Sequence, residues 1–217
     1  MGYAFALPWL LGFFIFTLYP MCSSLYYSFT NYNTLKAPKW IGLRNYIIIF
    51  TSDPLFWKSL WNTVYYAVLS VPLGIAAGVL IALLLNQKVK GMRFFRTIFY
   101  LPTVVSSVAV SLLWMWILEP NFGLLNTFLK KIGIIGPGWL TDPTWSKNSL
   151  ILMSLWTVGG GMLIYLAALQ DVPESLYEAA TIDGAGAFKK FCKITIPMIT
   201  PTLFYNLITG IIGGLQV

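Results

Sequence analysis

Long apolar runs without a charged residue dominate this chain and constrain its fold more than any other feature. The complete runs are Met1–Phe29, Thr63–Leu85, Ile98–Leu118 and Ser149–Leu169, and Thr202–Val217 begins another. A helix needs about 20 apolar residues to cross the ~30 Å hydrocarbon core of a bilayer. Only 10% of the residues are charged, against about a quarter in soluble domains. The runs predict an all-α integral membrane protein, a polytopic helical bundle in which about five spans are present.

The charged and metal-binding residues argue against a nucleic-acid, metal or catalytic site. The formal net charge is +7, but the basic residues lie between the apolar runs instead of forming one face with interleaved aromatics. Histidine, the commonest metal ligand, is absent, and the cysteines and carboxylates lack metal-site spacing. Cys22 and Cys192 lie far apart in the chain and are expected to be free thiols.

The first run reads as a retained span because it lacks a positively charged start and is too long for a signal peptide. We expect residues 1–217 to form a single transmembrane domain, truncated at both ends. Between the first two spans, Asn45–Phe50 and Leu55–Leu60 are predicted to be short amphipathic helices on the membrane surface. In the second span, Gly74 and Gly78 share a helix face, which indicates close helix packing or only the usual frequency of small residues in spans.

The distribution of basic residues predicts the orientation. The short connector Asn86–Thr97 contains four basic residues and no acid. Short basic connectors tend to face the cytoplasm. The connector Asp171–Pro201 is then on the same side, because two spans separate the two connectors.

The connector 171–201 has the pattern of a helix, a turn and a second helix. Asp171, Pro173 and Glu174 resemble a helix start with a capping box, and Asp183–Gly186 provides a glycine-rich stop. The second helix is expected to present an apolar face formed by Phe188, Phe191 and Ile194. Pro197 and Pro201 are expected to end it before the next span. Two interpretations follow from the residues: a connector folded against its own bundle, or a docking surface for a partner protein.

The same connector resembles the signature loop of membrane subunits of ABC importers. The matching residues are Glu178-Ala179-Ala180, Gly184, Ile194 and Pro197, with Ile196 where leucine is usual. Asp183-Gly184-Ala185 with Phe188 resembles the sugar-importer branch. Further elements of that branch occur in order along nearly the whole chain, at Ile41–Tyr46, Asn62-Thr63, Phe95-Arg96-Thr97, Leu101-Pro102 and Gly123–Asn126.

The resemblance implies a six-span core, so that a sixth span would follow Val217. It implies a second homologous permease subunit, two cytoplasmic ATPase subunits and an extracytoplasmic solute-binding protein as partners. The complex would lie in the bilayer of a bacterial or archaeal cytoplasmic (inner) membrane. No Gly-x-x-x-x-Gly-Lys-Ser/Thr loop is present, so ATP and Mg are expected on the ATPases, with no cofactor on this chain and no enzymatic activity of its own. The ATPase-coupling residues carried over by the motif are Glu178, Ala179, Ala180, Asp183 and Gly184.

The resemblance also implies a substrate path in the fourth and fifth spans. Alignment on the signature loop places Thr157, Gly160, Thr209, Gly213 and Gln216 on it. Each threonine has the alternative of bonding back to its own helix, whereas an amide such as that of Gln216 within a span usually has a polar role. Trp156 and Tyr165 are nearby aromatic candidates, with packing or interfacial anchoring as the alternative.

The favoured function is the translocation subunit of an ATP-driven importer for sugars, with oligosaccharides preferred, coupled to the ATPases through residues 171–201. An importer of glycerol phosphate or another polar solute is the alternative within the class. An anionic solute would favour a cationic cavity, and no Lys or Arg lies inside a span. A membrane-embedded enzyme or a non-transporting scaffold are the alternatives from other classes.

Overall fold

The protein is described from a computed structural model, which covers residues 2–87 and 89–216. Within these residues, three helices are long and apolar enough to cross a membrane, or up to five if each of two bent helix pairs is one span. The prediction of a polytopic all-α membrane protein with about five spans is confirmed. The chain divides into two compact units, Met1–Trp61 and Asn62–Val217, so the single domain over residues 1–217 stays a prediction.

The first unit contains a span, a β-hairpin and a short helix. The long apolar helix at Phe5–Ser28 is a candidate span, and it is interrupted by a π-helical stretch. The elements in chain order are α1 (Gly2–Phe13), the π-helix Phe14–Leu18, α2 (Tyr19–Ser28), β1 (Thr30–Asn33), β2 (Lys36–Trp40) and α3 (Arg44–Thr51).

The antiparallel hairpin β1–β2 was not predicted from the sequence. It pairs Thr30 with Trp40 and Asn33 with Lys36, and its strands are almost entirely exposed. The Asn45 amide holds its base, because Nδ2 donates to the carbonyl oxygens of Ser28 at 2.9 Å and Thr30 at 3.0 Å. Local side-chain bonds of this kind are hard to read from periodicity, which explains why the hairpin was missed.

Of the two predicted surface helices, the structure contains only the first as a separate helix. Asn45–Phe50 lies within α3, whereas Leu55–Leu60 forms the first turns of α4 (Pro54–Leu85). Helix α4 has 32 residues and contains Pro72. The helix continues through this proline because packing in a span compensates for the lost backbone bond.

The second unit is built on the rest of α4 and on helices from the remaining connectors and spans. In chain order these are α5 (Met92–Val104), α6 (Ser107–Ile117), α7 (Leu124–Lys131), α8 (Ser146–Ser154), the 3₁₀ turn Leu155–Thr157, α9 (Gly159–Gln170), α10 (Glu174–Ile182), α11 (Ala187–Lys190), the π-helix Phe191–Thr195 and α12 (Ile196–Gly214).

The core of this unit lies where α4, α9 and α12 meet. Its buried members include Ala82, Met162 and Ile199, each at most 1% exposed. Gly78 permits a close contact between α4 and α9, since a Cβ added there would lie 2.7 Å from Tyr165 Cε2. Gly74, by contrast, has open space beside it. The close-packing interpretation therefore holds for one of the two glycines in the motif.

The predicted third and fourth spans are not straight helices. The run Ile98–Leu118 is divided between α5 and α6, which meet at 96°. The residues between them, Val105 and Ser106, have extended ψ angles of 138° and 134°, so the helical hydrogen bonds stop there. The run Ser149–Leu169 bends by 51° at the 3₁₀ turn. Composition identified both runs correctly, but an apolar run carries no signal for a bend inside it.

The second helix of the connector 171–201 is not a separate element either. Helix α11, the π-helix and α12 form one helical stretch, Ala187–Gly214, of 28 residues. The prediction that Pro197 and Pro201 close a short helix is wrong, since Pro197 lies in the first turn of α12 and Pro201 within it. The span that was expected to begin at residue 202 therefore continues directly from the connector.

Candidate functional site

Helix α10 begins without the predicted capping box. Pro173 occupies the N-cap position, and Asp171 instead ends α9. Pro173 fixes its own φ and has no polar side chain, so it starts the helix by geometry and not by a side-chain hydrogen bond. Val172, immediately before it, is 6% exposed and belongs to the core. The start of α10 is therefore tied to the packed spans.

The end of α10 is a Schellman motif at Gly184. The Gly184 N–H donates to the Thr181 carbonyl oxygen at 3.0 Å, and the Ala185 N–H donates to the Ala180 carbonyl oxygen at 2.8 Å. This pair of bonds requires a left-handed residue after the helix, and Gly184 has a φ of +72°. The predicted glycine stop is confirmed.

Two side-chain hydrogen bonds fasten α10 to the helix that follows. The hydroxyls of Tyr177 and Thr195 are 2.9 Å apart, and Thr195 is 4% exposed. Lys190 Nζ donates to Thr181 Oγ1 at 2.7 Å. Since the π-helix carrying Thr195 continues into α12, these bonds join α10 to the helical stretch that contains a candidate span.

The five predicted coupling residues lie at the outer side and end of α10. These residues are Glu178, Ala179, Ala180, Asp183 and Gly184. Ala180 is half-buried and the other four are exposed. Two large apolar side chains are exposed beside them, Ile182 at 87% and Phe188 at 80%. The structure thus brings the coupling residues together on one accessible surface with a mixed acidic and apolar character.

A cavity of about 350 Å³ lies between α4, α9 and α12. Its polar lining comes from hydroxyl and amide side chains, and none of the described residues that line it is charged. The residues are Tyr66, Ser70, Val71, Gly74, Ile75, Ser154, Thr157, Val158, Gly161, Tyr165, Asn206, Gly210, Gly213 and Gly214. We refer to it below as the polar cavity.

The polar cavity contains only two of the predicted substrate-path residues, Thr157 and Gly213. Gly160, Thr209 and Gln216 are not among its lining residues. Gly160 instead faces Thr103, whose Cγ2 would be 3.9 Å from an added Cβ. Residues of the predicted spans do line the cavity, but which face of each span does so depends on the bends that the sequence did not reveal.

Both predicted threonines bond back to their own helices. Thr157 Oγ1 donates to the Ser154 carbonyl oxygen at 3.2 Å, and Thr209 Oγ1 donates to the Tyr205 carbonyl oxygen at 2.9 Å. Both hydroxyl hydrogens are therefore used in bonds to the helix backbone, which is the alternative given for these threonines above. Each hydroxyl oxygen still has an acceptor site.

Four polar cavity residues were missed as candidates from the sequence: Tyr66, Ser70, Ser154 and Asn206. Asn206 Nδ2 donates to the Thr202 carbonyl oxygen at 2.9 Å, which leaves its amide oxygen and a second N–H. An amide inside an apolar run is itself a sequence signal for a polar role, and it was overlooked at this position. Of the aromatic candidates, Tyr165 lines the cavity, whereas Trp156 packs edge-on against Trp114 at 5.9 Å.

The connector between α6 and α8 is folded around Asn126. This residue is 8% exposed; its Nδ2 donates to the carbonyl oxygens of Pro120 and Pro137, and its Oδ1 accepts from Trp139 Nε1 at 2.7 Å. Nearby, backbone N–H groups, that of Phe122 above all, lower the pKa of the Glu119 carboxyl. Glu119 therefore has a local structural role, as the acceptor of hydrogen bonds from Asn121 and Phe122.

The remaining candidates concern the thiols and metal ligands. Cys22 and Cys192 are free and exposed, as predicted. Within residues 2–87 and 89–216, His, Cys, Asp and Glu form no group of three that could hold a metal ion.

Membrane spans around an uncharged polar cavity, joined to an exposed helical turn, define a membrane protein of the transport type. The family of binding-protein-dependent transport system inner membrane components matches residues 70–216. The match covers more than half of the chain. The chain therefore belongs to this family.

Similar proteins include sugar-importer permeases. The chain is 44% identical over 215 residues to the probable ABC transporter permease protein YesP of Bacillus subtilis (strain 168), covering 98% of this chain and 69% of that protein. It is 39% identical over 219 residues to the lactose transport system permease protein LacF of Rhizobium radiobacter, covering 99% and 72%. The predicted resemblance to a permease subunit of the sugar-importer branch is confirmed.

Solved structures show the same fold. A bacterial ABC transporter involved in the import of the acidic polysaccharide alginate contains a chain that matches with a TM-score of 0.86 and 31% identity. The match covers 99% of this chain and 73% of the other. A second structure shows the bacterial alginate transporter with an alginate pentasaccharide-bound periplasmic protein, with a TM-score of 0.83 and 30% identity.

Proposed function

We propose that this chain forms half of the membrane pathway of an ATP-driven importer for neutral oligosaccharides. A second homologous permease subunit would supply the other half of the pathway. Two cytoplasmic ATPases would bind ATP and Mg and supply the energy, and an extracytoplasmic binding protein would deliver the solute. The complex would lie in a bacterial or archaeal inner membrane, with residues 171–201 in the cytoplasm. The relatives named above include a lactose permease, and an arabinooligosaccharide permease is also similar, at 34% identity.

The observation that carries the proposal is the rigid connection from α10 to the polar cavity. The exposed side of α10 is available to a partner, and its inner side is fixed to the π-helix through the Tyr177–Thr195 hydrogen bond of 2.9 Å. The same helical stretch continues to Asn206 and Gly213 at the cavity. A movement of docked ATPases would therefore be transmitted to the solute path through one helical stretch. Such transmission would drive the rigid-body motions of alternating access.

The polar cavity favours a neutral sugar over an anionic solute. Its described lining offers hydroxyl and amide groups together with the rings of Tyr66 and Tyr165. Hydroxyls and amides can pair with sugar hydroxyls, and the aromatic faces offer apolar area to the ring carbons. Glycerol phosphate remains the alternative, although no cation from the described residues lines this half of the path.

The test is solute uptake by the complete importer in proteoliposomes, with Asn206→Ala compared with Thr209→Ala. Asn206 lines the polar cavity, whereas Thr209 lies outside its lining and bonds to its own helix. We expect Asn206→Ala to raise the KM for an oligosaccharide about 5- to 30-fold, the equivalent of one or two hydrogen bonds of about 1 kcal/mol each. Thr209→Ala should change it less than twofold.

A panel of lactose, maltotriose and glycerol phosphate decides the solute class. Uptake of glycerol phosphate in preference to both sugars would overturn the sugar assignment. ATP-dependent uptake of none of them, by a correctly assembled complex with its binding protein, would contradict transport of these solute classes.

A further inference from the structure

An apolar groove runs along the α4–α12 pair and shares Ile75 with the polar cavity. It has a volume of about 570 Å³ and is lined by residues such as Ile75, Val79 and Leu80 on α4 and Phe204 and Leu207 on α12. Leu80 and Phe204 are 59% and 60% exposed. Among the described residues that line it, Thr200 contributes the one hydroxyl, whose Oγ1 donates to its own helix at the Ile196 carbonyl oxygen, 2.8 Å away.

The length of the groove matches one leaflet of a bilayer. Between Ile196 and Leu207 the helix rises about 16 Å at ~1.5 Å per residue, and half of the ~30 Å hydrocarbon core is about 15 Å. Such a groove has the length and the surface chemistry to take one acyl chain.

The groove continues into a recess that contains a lysine. Leu80 and Phe191 line both, and the recess adds Tyr177, Phe188 and Lys190. Lys190 Nζ donates to the neutral hydroxyl of Thr181, which leaves its charge and two of its three N–H donors for an anion. The apolar groove therefore ends at a cation.

Further basic residues lie close to Lys190 in the chain or at the same end of α4. Lys189 and Lys193 are exposed within one turn of Lys190. Leu83, near the end of α4, also lines the recess. Arg96 lies at the same end of α4, where its Nη2 donates to the Leu85 carbonyl oxygen at 3.1 Å. Basic groups beside a groove between membrane helices are the arrangement that recognises anionic lipid head groups.

We propose that this groove is a binding site for an anionic phospholipid, with one acyl chain between α4 and α12 and the phosphate at Lys190 and Lys193. The charge at one end selects the head group, and the apolar groove selects the chain. A phospholipid fits this site because the groove is apolar over the length of one leaflet. The charged groups among its described surroundings lie at the end where a head group would be.

Native mass spectrometry of the complete, delipidated importer tests the proposal. Palmitoyl-oleoyl phosphatidylglycerol or the phosphatidylcholine with the same chains is added at equal concentration, and bound lipids are counted. We expect one phosphatidylglycerol per copy of this subunit and at least tenfold weaker retention of phosphatidylcholine. Lys190→Gln with Lys193→Gln should weaken phosphatidylglycerol retention by about fivefold per lysine, and Ala76→Trp, which fills the groove, should abolish it.

Lys130→Gln with Lys131→Gln is the matched control, because it removes an adjacent pair of lysines at the end of α7, outside the groove. Loss of retention in this control as well, or equal retention of both lipids by the unaltered importer, would overturn the proposal. A cysteine at Leu207 that crosslinks efficiently to the second permease subunit would also overturn it, since a protein helix would then occupy the groove. Lipid counting needs no transport, so its result is independent of the proposed solute.

Discussion

At the scale of single residues, Gly184 and Gly186 look alike in the sequence but differ in the backbone they require. Both are exposed, and a Cβ added at either would meet nothing within 4 Å. Gly184 has a φ of +72°, whereas Gly186 has a φ of −69°. The left-handed conformation costs a residue with a side chain about 1–2 kcal/mol. The signature glycine is therefore needed for its backbone and not for space.

Gly184→Ala is expected to weaken ATPase binding by up to about tenfold, because strain of about 1–2 kcal/mol would displace the end of α10. Gly186→Ala should leave binding unchanged, and Gly184→Asn should recover most of it, since asparagine tolerates the left-handed region. Co-purification of the ATPases with the assembled permease pair measures all three. Equal loss in the two alanine variants would refute a role of the backbone conformation.

At the scale of elements, hydrogen bonds between side chains join α10 to the helical stretch that follows it. The π-helix places Thr195 opposite Tyr177, and π-helical turns within α-helices often occur at functional positions. Beyond it, α12 reaches the polar cavity without a break, through Pro197 and Pro201. Helix α10 is therefore joined to this helical stretch by the Tyr177–Thr195 hydroxyl pair and by the Lys190–Thr181 hydrogen bond.

Removing that hydroxyl pair should loosen the connection while leaving the fold intact. We expect Tyr177→Phe to lower the amount of solute transported per ATP hydrolysed, with a change of about 0.5–1.5 kcal/mol in the local stability of α10. Hydrogen exchange of the α10 amides and the transport-to-hydrolysis ratio measure the two effects.

Tyr205→Phe is the control, since it removes a hydroxyl from a residue of α12 that is 62% exposed. In a double-mutant cycle, Thr195→Val should add little to Tyr177→Phe. Fully additive effects of the two changes would show that the hydroxyls do not act as a pair.

At the scale of the whole molecule, two glycines of α12 that border the polar cavity differ in how closely another span packs against them. An added Cβ at Gly210 would lie 2.8 Å from Val71 Cγ1 on α4, whereas one at Gly213 would meet nothing within 4 Å. Both residues border the polar cavity. The same substitution at the two positions therefore separates the contact between spans from the volume of the solute path.

Gly210→Ala is expected to lower the melting temperature of the complex, because α4 and α12 must separate slightly. Gly213→Ala should preserve or raise it, since alanine favours a helix over glycine by about 1 kcal/mol, while it raises the KM for solute by narrowing the cavity. Thermal unfolding and uptake kinetics of both variants give the answer. A lower melting temperature for Gly213→Ala with an unchanged KM would contradict this division.

The sequence by itself determined the class of fold, the approximate spans and the turn at Gly184. A span must satisfy its backbone hydrogen bonds within one helix and present apolar side chains to lipid, so it appears in the sequence as a continuous apolar run. A glycine after a helix marks a residue with positive φ. Both features depend on residues that are neighbours in the chain. The tertiary structure alone decided the 96° bend at Val105 and Ser106, the hairpin at residue 30 and the membership of Asn206 in the polar cavity. These depend on which faces of distant helices meet, and apolar residues in a membrane run along every face of a span, so their order carries little record of that choice.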